Sequence, residues 1–174
     1  VKYAVSGLPR LIEKGNIVPG IEKAGVPTGR HPRTAIGIKE GKVIMITVDG
    51  RKKGFSDGMT LTELAEYMLS LGIEDALNFD GGGSTVMIAR KQGYYVPKVI
   101  NIPSDGTERA VANSVQIISA APLSDPKYIR FEKDNIKIFV NSSYTPALYA
   151  MDEYFNRVDL GDTQVEYVVG DKIG

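Results

Sequence analysis

The sequence predicts an α+β fold, in which a mixed, strand-rich sheet with at least one covering helix precedes a truncated immunoglobulin-like β segment. Three observations support this prediction. Short apolar runs bounded by glycine turns are typical of strands. One segment, residues 60–72, repeats its apolar residues at helical spacing. Near residue 122 the composition changes, and a second group of strand-like runs begins.

Two hairpins are predicted in the first part of the chain. Residues 10–18 indicate two short strands around Lys14-Gly15, and residues 34–38 and 43–48 indicate a second pair around Glu40-Gly41. The run at 43–48 is apolar on both faces, so we expect a central, covered strand there. Residues 111–119 are predicted to form a closing strand.

One helix is predicted between the strands at 43–48 and 76–79. Thr60 is a suitable N-cap, and Glu63 three residues later completes a capping box. Gly72 is expected to end the helix. Its length suits a crossover that covers one face of the sheet. The apolar residues that form one stripe are Leu61, Leu64, Ala65, Met68 and Leu71.

A linker rich in proline, at residues 120–126, predicts a boundary between domains 1–122 and 123–174. The first has 15 Lys and Arg against 12 Asp and Glu, and the second has 6 against 9. Strand-like runs at 128–131, 136–140, 147–150 and 165–169 suit an immunoglobulin-like sandwich. Such a sandwich needs ~100 residues, so this segment indicates only the start of one.

Bulk composition excludes several classes of protein. The 21 basic residues balance the 21 acidic ones, which argues against a nucleic-acid binder. No apolar run is long enough for a membrane span. The chain has no cysteine, which excludes disulfides and cysteine-ligated zinc. It opens on strand-like sequence without a signal peptide, so we expect an excised fragment.

The glycine run after Asp80 is the main candidate site. Three consecutive glycines, Gly81 to Gly83, cost backbone entropy, which suggests a close approach of backbone and ligand. A P-loop would need a lysine and a helix next, and a dinucleotide fingerprint also needs a helix, whereas strand-like sequence follows here. A plain hairpin turn is the alternative. We expect Gly82 and Gly83 at positive φ. Asp49-Gly50 ends another apolar run and is a second indication of a site.

Several short blocks occur in a specific order: HPRT at 31–34, VDGR at 48–51, GMT at 58–60, NFDGGGS at 78–84 and PSDGTER at 103–109. Together they resemble the phosphodiester glycosidase family over roughly residues 4–119. Family members usually carry an upstream strand with an Asn-Gly-Gly and aromatic motif. Because this chain begins after that point, we expect a domain that is incomplete at its N-terminus.

The resemblance implies a hydrolase that cleaves a sugar–phosphate phosphodiester or a related glycosidic bond in cell-surface glycans. It also implies a secreted or cell-surface bacterial protein. Charge that develops at the anomeric carbon suits carboxylates, for which Asp80 and Asp49 are the candidates. The departing phosphate suits arginine, and Arg33 and Arg109 are expected to converge on one phosphate site near Asp80.

Other residues of these blocks are candidate substrate-binding groups. His31 could serve as an acid or base, with loop packing as the alternative. Asp105 lies in Ser-Asp-Gly, which is also ordinary turn sequence. No GxSxG elbow surrounds Ser84, so a binding hydroxyl is favoured over a nucleophile. The full set is Asn78, Gly81, Gly82, Gly83, Ser84, Asn113, His31 and Asp105.

The sequence leaves more than one possibility open for the cofactor and for the function. Aspartates at strand ends suit Ca²⁺ or Mg²⁺, but the sequence has no EF-hand or HExxH spacing, so a divalent cation stays an open option. The oligomeric state is also open. A non-catalytic carbohydrate- or cell-wall-binding module of the same fold is the second hypothesis. A metal-dependent phosphodiesterase acting on nucleotides is the third, and the absence of a histidine cluster counts against it.

Overall fold

The computed structural model describes residues 4–133, 135–162 and 164–167. The chain forms two compact units. Unit 1 comprises Val1–Ala89 and Lys98–Ile117, and unit 2 comprises Arg90–Pro97 and Ile118–Gly174. Unit 2 therefore includes the loop 90–97, which the sequence-based boundary assigned to the first domain.

Unit 1 is built on a five-stranded sheet in the order β2-β1-β5-β3-β4, with neighbours antiparallel. Since β3 is antiparallel to both β4 and β5, those two strands run in the same direction. Their C-terminal ends therefore lie at the same end of the sheet, beside the N-terminal end of β3. The strands are β1 Arg10–Glu13, β2 Asn16–Ile17, β3 Arg33–Lys39, β4 Lys42–Val48 and β5 Asp75–Asn78. A separate two-stranded hairpin pairs β6 Ile88–Ala89 with β7 Lys98–Val99.

Both predicted hairpins of unit 1 are confirmed. Lys14 and Gly15 have φ of 47° and 74°, and Glu40 and Gly41 have φ of 49° and 73°. Positive φ at both central residues is the requirement of a type I′ turn, whose twist matches that of the flanking strands. The turn residues therefore determine the register of β1 with β2 and of β3 with β4.

Two strand predictions for unit 1 are wrong. The strand at 43–48 is β4, which lies at the edge of the sheet, and Val43 is 47% exposed. The crossover after β4 passes over β3, so that β5 takes the central position. Residues 111–119 are exposed, and within the described part of the chain no strand pairs with them. The closing strand predicted there is therefore not formed.

The predicted helix is α1, Leu61–Ser70. The capping box is present: the Glu63 amide donates to Thr60 Oγ1 at 3.1 Å, and the Thr60 amide donates to Glu63 Oε2 at 2.9 Å. These two bonds satisfy backbone donors that the first helical turn leaves unpaired.

Gly72 ends the helix as predicted. It has φ of +78° and follows Leu71, the last capping residue. The Gly72 amide donates to Leu69 O at 2.8 Å, and the Ile73 amide donates to Met68 O at 3.2 Å. These paired bonds define a Schellman motif, and the buried side chains of Met68 and Ile73 supply its apolar contact.

The core of unit 1 lies between α1 and the sheet. Four helical side chains are buried, and Leu71, predicted as part of the same stripe, is 38% exposed. Apolar burial of this kind contributes roughly 1.5–3 kcal/mol for each large side chain. The main buried residues are Leu11, Ile12, Ala35, Leu61, Leu64, Ala65, Met68, Ile73 and Ala76.

Unit 2 contains a three-stranded antiparallel sheet in the order β10-β9-β8. Its strands are β8 Tyr128–Phe131, β9 Leu148–Met151 and β10 Arg157–Val158. The runs at 128–131 and 147–150 are thus confirmed as strands. The run at 136–140 forms none, and 165–169 is described only as far as residue 167. The immunoglobulin-like assignment stays a prediction.

Among the described residues, none of the helices has the length and apolar character that a membrane crossing requires.

Candidate functional site

A cleft of about 420 Å³ lies in unit 1, where β4 and β5 end and β3 begins. The motif blocks that are far apart in sequence meet at this edge because β4 and β5 are parallel. The lining residues are Leu8, Val26, Pro27, His31, Pro32, Arg33, Arg51, Asn78, Phe79, Asp80, Gly81, Gly82, Gly83 and Arg109.

Glycines allow two backbone segments, at residue 50 and at residues 81–82, to pack against Pro32. The Gly82 amide donates to Pro32 O at 2.9 Å. A Cβ on Gly81 would lie 2.7 Å from the same oxygen, and a Cβ on Gly50 would lie 2.8 Å from the Pro32 nitrogen. Both distances are too short for any side chain, so glycine at these positions permits the close approach that forms the wall of the cleft.

The third glycine of the run leaves space for two neighbouring side chains and does not need a left-handed conformation. Gly82 has φ of +62°, as predicted. Gly83 does not lie in the left-handed region, and this part of the prediction is wrong. A Cβ on Gly83 would instead collide with the guanidinium of Arg109 and the carboxylate of Asp105.

Asp80 places an exposed carboxylate in the cleft. Its Oδ1 accepts a hydrogen bond from the Gly81 amide at 2.9 Å, which orients the side chain at the start of the glycine run. Asp80 lines the cleft and is exposed. The position therefore suits a carboxylate that contacts a bound substrate.

Asp49, the second predicted catalytic carboxylate, has a different position. Both of its oxygens accept from the Ile102 amide, at 3.0 and 3.1 Å, and Oδ1 also accepts from Asn101 Nδ2 at 3.0 Å. Asp49 is not among the residues that line the cleft. Its contacts make it a positioning residue that holds the segment leading to residues 103–109.

Asn101 connects this segment to the chain beyond the glycine run. Its Nδ2 also donates to Thr85 O at 3.1 Å, and its Oδ1 accepts from the Met87 amide at 2.8 Å. Sequence reasoning missed Asn101, since a single asparagine before an Ile-Pro pair carries no signal.

Arg33 lines the cleft, but its guanidinium binds the protein itself. The side chain is 4% exposed. Nε donates to Met59 O at 2.9 Å, and Nη2 donates to Pro27 O and Gly29 O, each at 2.7 Å. These bonds hold the loop before β3 in place, because the donors Nε and Nη2 are directed at backbone carbonyls, and the phosphate role expected of Arg33 stays a prediction.

Arg109 reaches the cleft in company with Asp105. Its Nε and Nη2 donate to Asp105 Oδ2 at 3.0 and 2.6 Å, and both groups lie over Gly83. The hydrogen bonds and charge of Arg109 hold the pKa of Asp105 below its usual value. Asp105 therefore stays ionised and orients the guanidinium of Arg109.

His31 and Arg51 form a contact at the other side of the glycine run. Arg51 Nη2 lies 3.3 Å from His31 Nδ1. Burial lowers the pKa of His31, and the charges of Arg33 and Arg51 lower it further. The imidazole is therefore neutral at neutral pH, and Nδ1 can accept a hydrogen bond from Arg51. Sequence reasoning quoted Arg51 in the VDGR block but gave it no role.

Asn78 is the most deeply buried polar residue of the cleft wall, with 3% exposure. Its Nδ2 donates to Leu8 O at 2.7 Å and to Phe79 O at 2.9 Å. Its Oδ1 is buried and has no hydrogen-bond partner among the described residues. Ser84 and Asn113, the remaining candidates, do not line the cleft.

A divalent cation stays an open option, and Asp80 is the one acidic residue among the described residues that line the cleft. In the part of the chain that the structure describes, no group of three or more His, Asp or Glu residues could hold a metal ion. Asp49 is directed at amides, and Asp105 is paired with Arg109.

Comparison with known proteins places these blocks in one family. Residues 1–118 match the phosphodiester glycosidase family. The SPbeta prophage-derived uncharacterized protein YomE of Bacillus subtilis is 36% identical over 105 residues, which are 60% of this chain and 15% of that protein. The N-acetylglucosamine-1-phosphodiester alpha-N-acetylglucosaminidase of Bos taurus is 37% identical over 57 residues, which are 32% of this chain and 10% of that protein.

Among solved structures, the catalytic domain of the zebrafish N-acetylglucosamine-1-phosphodiester alpha-N-acetylglucosaminidase, auto-inhibited by its pro-peptide, is similar with a TM-score of 0.44 and 27% identity. The similarity covers 57% of this chain and 34% of that one. The chain spans 10% to 15% of the length of the two curated relatives described above. The family match extends over residues 1–118, which include every residue of the cleft, and this chain belongs to the phosphodiester glycosidase family.

Proposed function

We propose that unit 1 cleaves the bond between the anomeric carbon of a sugar and the phosphate of a phosphodiester, with sugar phosphates of cell-surface glycans as the substrate class. One observation carries the proposal. Four of the five motif blocks contribute lining residues to a single cleft, and these residues include an exposed carboxylate, Asp80, and the guanidinium-bearing Arg109.

The reaction needs these two kinds of group. As the carbon–oxygen bond breaks, its electron pair leaves with the phosphate monoester and the anomeric carbon gains positive charge. Asp80 stabilises that charge and accepts a proton from the water whose oxygen bonds to the carbon. Arg109, oriented by Asp105, binds the phosphate oxygens. A phosphate monoester leaves readily, so less acid assistance is needed than for an ordinary glycoside.

A non-catalytic glycan-binding module is the second candidate, and one observation favours it. Since Asp49 lies outside the cleft, Asp80 is the one acidic side chain among the described residues that line it. Most glycoside hydrolases use two carboxyl groups. A module of this kind would bind a sugar phosphate without hydrolysing it.

Replacement of Asp80 tests the proposal. We expect Asp80→Asn to lower turnover of a sugar-1-phosphate diester by ~100-fold or more, the range of acid–base groups, while binding of the diester is retained. Asp125→Asn, at an exposed position outside the cleft, is the matched control and should keep wild-type turnover. Equal turnover in wild type and the folded Asp80→Asn variant would reject the role of Asp80. Saturable binding by the wild type without any turnover would favour the binding module.

A further inference from the structure

We propose that Arg51 is the principal phosphate-recognising side chain of this cleft. The inference depends on the proposed function, because it names the residue that holds the phosphate of the substrate. It assigns to Arg51 the part that sequence reasoning gave to Arg33.

The backbone at Arg51 has a conformation that L-residues rarely adopt. Its φ is +57°, and it follows Gly50, which packs against Pro32. Left-handed conformations at residues other than glycine are uncommon and occur where the surrounding structure enforces them, often at functional sites. Here the left-handed residue lies in the loop that follows β4, after Asp49 and Gly50, and lines the cleft.

The glycine run leaves room for the Arg51 guanidinium. A Cβ on Gly82 would lie 3.2 Å from both Nη1 and Nη2 of Arg51. His31 Nδ1 lies 3.3 Å from Nη2 and accepts a hydrogen bond there. The guanidinium is thus held between a backbone without a side chain and a neutral imidazole, inside the cleft.

Arg51 differs from the other two cleft arginines in its partners. Arg33 is directed at three carbonyl groups, and Arg109 is paired with Asp105. Within the described ranges Arg51 has no ion pair, and His31 is its one hydrogen-bond partner. A guanidinium carries five N–H donors in a planar fork that matches the oxygens of a phosphate. Most of these donors are therefore available to a bound anion.

Positive charge exceeds negative charge at this point, because Arg33, Arg51 and Arg109 lie near two acidic side chains, Asp80 and Asp105. Arg33 and Arg51 both act on His31 in the direction that disfavours its protonation. A phosphate bound by Arg51 and Arg109 would offset this concentration of positive charge. Protonation of His31 would then become easier when phosphate is bound.

His31 is the only histidine of the chain and can report on the site directly. We would follow its imidazole resonances by NMR while inorganic phosphate is added to the whole chain. Phosphate should shift these resonances in a saturable way and raise the pKa of His31. Arg51→Gln should weaken phosphate binding by at least ~10-fold, and Arg51→Lys should restore only part of it, since lysine lacks the fork.

Arg10→Gln is the matched control. Arg10 lies on β1, pairs with Glu13 and Asp75, and does not line the cleft, so phosphate affinity should be unchanged. The inference is overturned if phosphate leaves the His31 resonances of the wild type unmoved, or if both folded Arg51 variants bind phosphate as tightly as the wild type.

Turnover of a sugar-1-phosphate diester separates this inference from the proposed function. If the wild type turns over the diester and Arg51→Gln leaves KM unchanged, the role of Arg51 is rejected and the hydrolase proposal stands. If phosphate binds through Arg51 and the wild type shows no turnover, the hydrolase proposal is rejected and the binding role of Arg51 stands.

Discussion

Gly83 determines the position of a charged pair although it has no side chain of its own. The guanidinium of Arg109 and the carboxylate of Asp105 occupy the space that a Cβ at this position would take. A change at residue 83 would therefore move Arg109, the side chain that we propose binds the phosphate oxygens.

Gly83→Ala should displace Arg109 from the cleft. We expect the KM for a phosphate-bearing substrate to rise by ~10-fold or more, because a misplaced positioning group costs about this much or more. Gly15→Ala is the comparison, since Gly15 has φ of +74° and open space around its Cβ position, and lies in the turn between β1 and β2 outside the cleft. It should cost stability without a change in KM. Identical KM values for the two variants would show that contact at Gly83 has no part in binding.

At the residue scale, the sequence indicates which blocks contribute residues to the cleft. It does not show in which direction a long side chain such as that of arginine points. The structure places Asp80, His31, Arg109 and the glycine run in the cleft, and their roles stay predictions. The contacts of Asp49 and Arg33 differ from expectation. The partners of Asp49 come from a segment distant in sequence, and Arg33 binds Met59 as well as two carbonyl groups of the loop just before it. Arg51 was overlooked for the same reason.

At the element scale, local signals were reliable. The capping box of α1 and the glycine that ends the helix involve residues within a few positions of one another, and so do the two hairpin turns. The edge position of β4 and the absence of a strand at 111–119 depend on which strands pair over long distances. Apolar patterning does not encode that pairing.

Thr60→Ala tests the importance of the helix cap. Loss of the bond from the Glu63 amide should lower the free energy of unfolding of unit 1 by about 1 kcal/mol, the usual cost of an N-cap. Chemical denaturation of the variant measures this, with Thr145→Ala, exposed and outside unit 1, as the control. An unchanged unfolding midpoint in Thr60→Ala would mean that the cap contributes nothing.

The same capping box is expected to make the free energy of unfolding depend on pH in the acidic range. The Thr60 amide hydrogen bond, assisted by the charge of Arg30, lowers the pKa of Glu63. A carboxylate with a lowered pKa contributes stability that is present above its ordinary pKa and lost as pH falls through the folded-state value. Glu63→Gln should therefore unfold with a shallower dependence on pH below about 4.5. Parallel pH profiles for the two proteins would contradict this.

At the scale of the whole molecule, all residues that line the cleft belong to unit 1. Gly93 lies in the loop that belongs to unit 2, with φ of +75° and no room for a side chain beside Tyr149 and Met151. Because the cleft residues belong to unit 1, we expect a substitution that destabilises unit 2, such as one at Gly93, to leave the catalytic activity largely unchanged.

Gly93→Val should destabilise unit 2 selectively. We expect a lower unfolding temperature for the transition of unit 2, with kcat on a sugar-1-phosphate diester within a few-fold of wild type. Calorimetry and kinetics on the same preparation measure both. A large fall in kcat while unit 1 remains folded would show that unit 2 takes part in forming the site.

The bond that is broken provides the most direct test of the central claim. Hydrolysis of a sugar-1-phosphate diester by the whole chain in ¹⁸O-labelled water, followed by mass spectrometry, shows which atom the water attacks. The account predicts that the label appears at the anomeric carbon of the released sugar, that the phosphate monoester is unlabelled, and that Asp80→Asn abolishes most of the signal. Label in the phosphate would instead show phosphodiesterase chemistry and contradict the assignment.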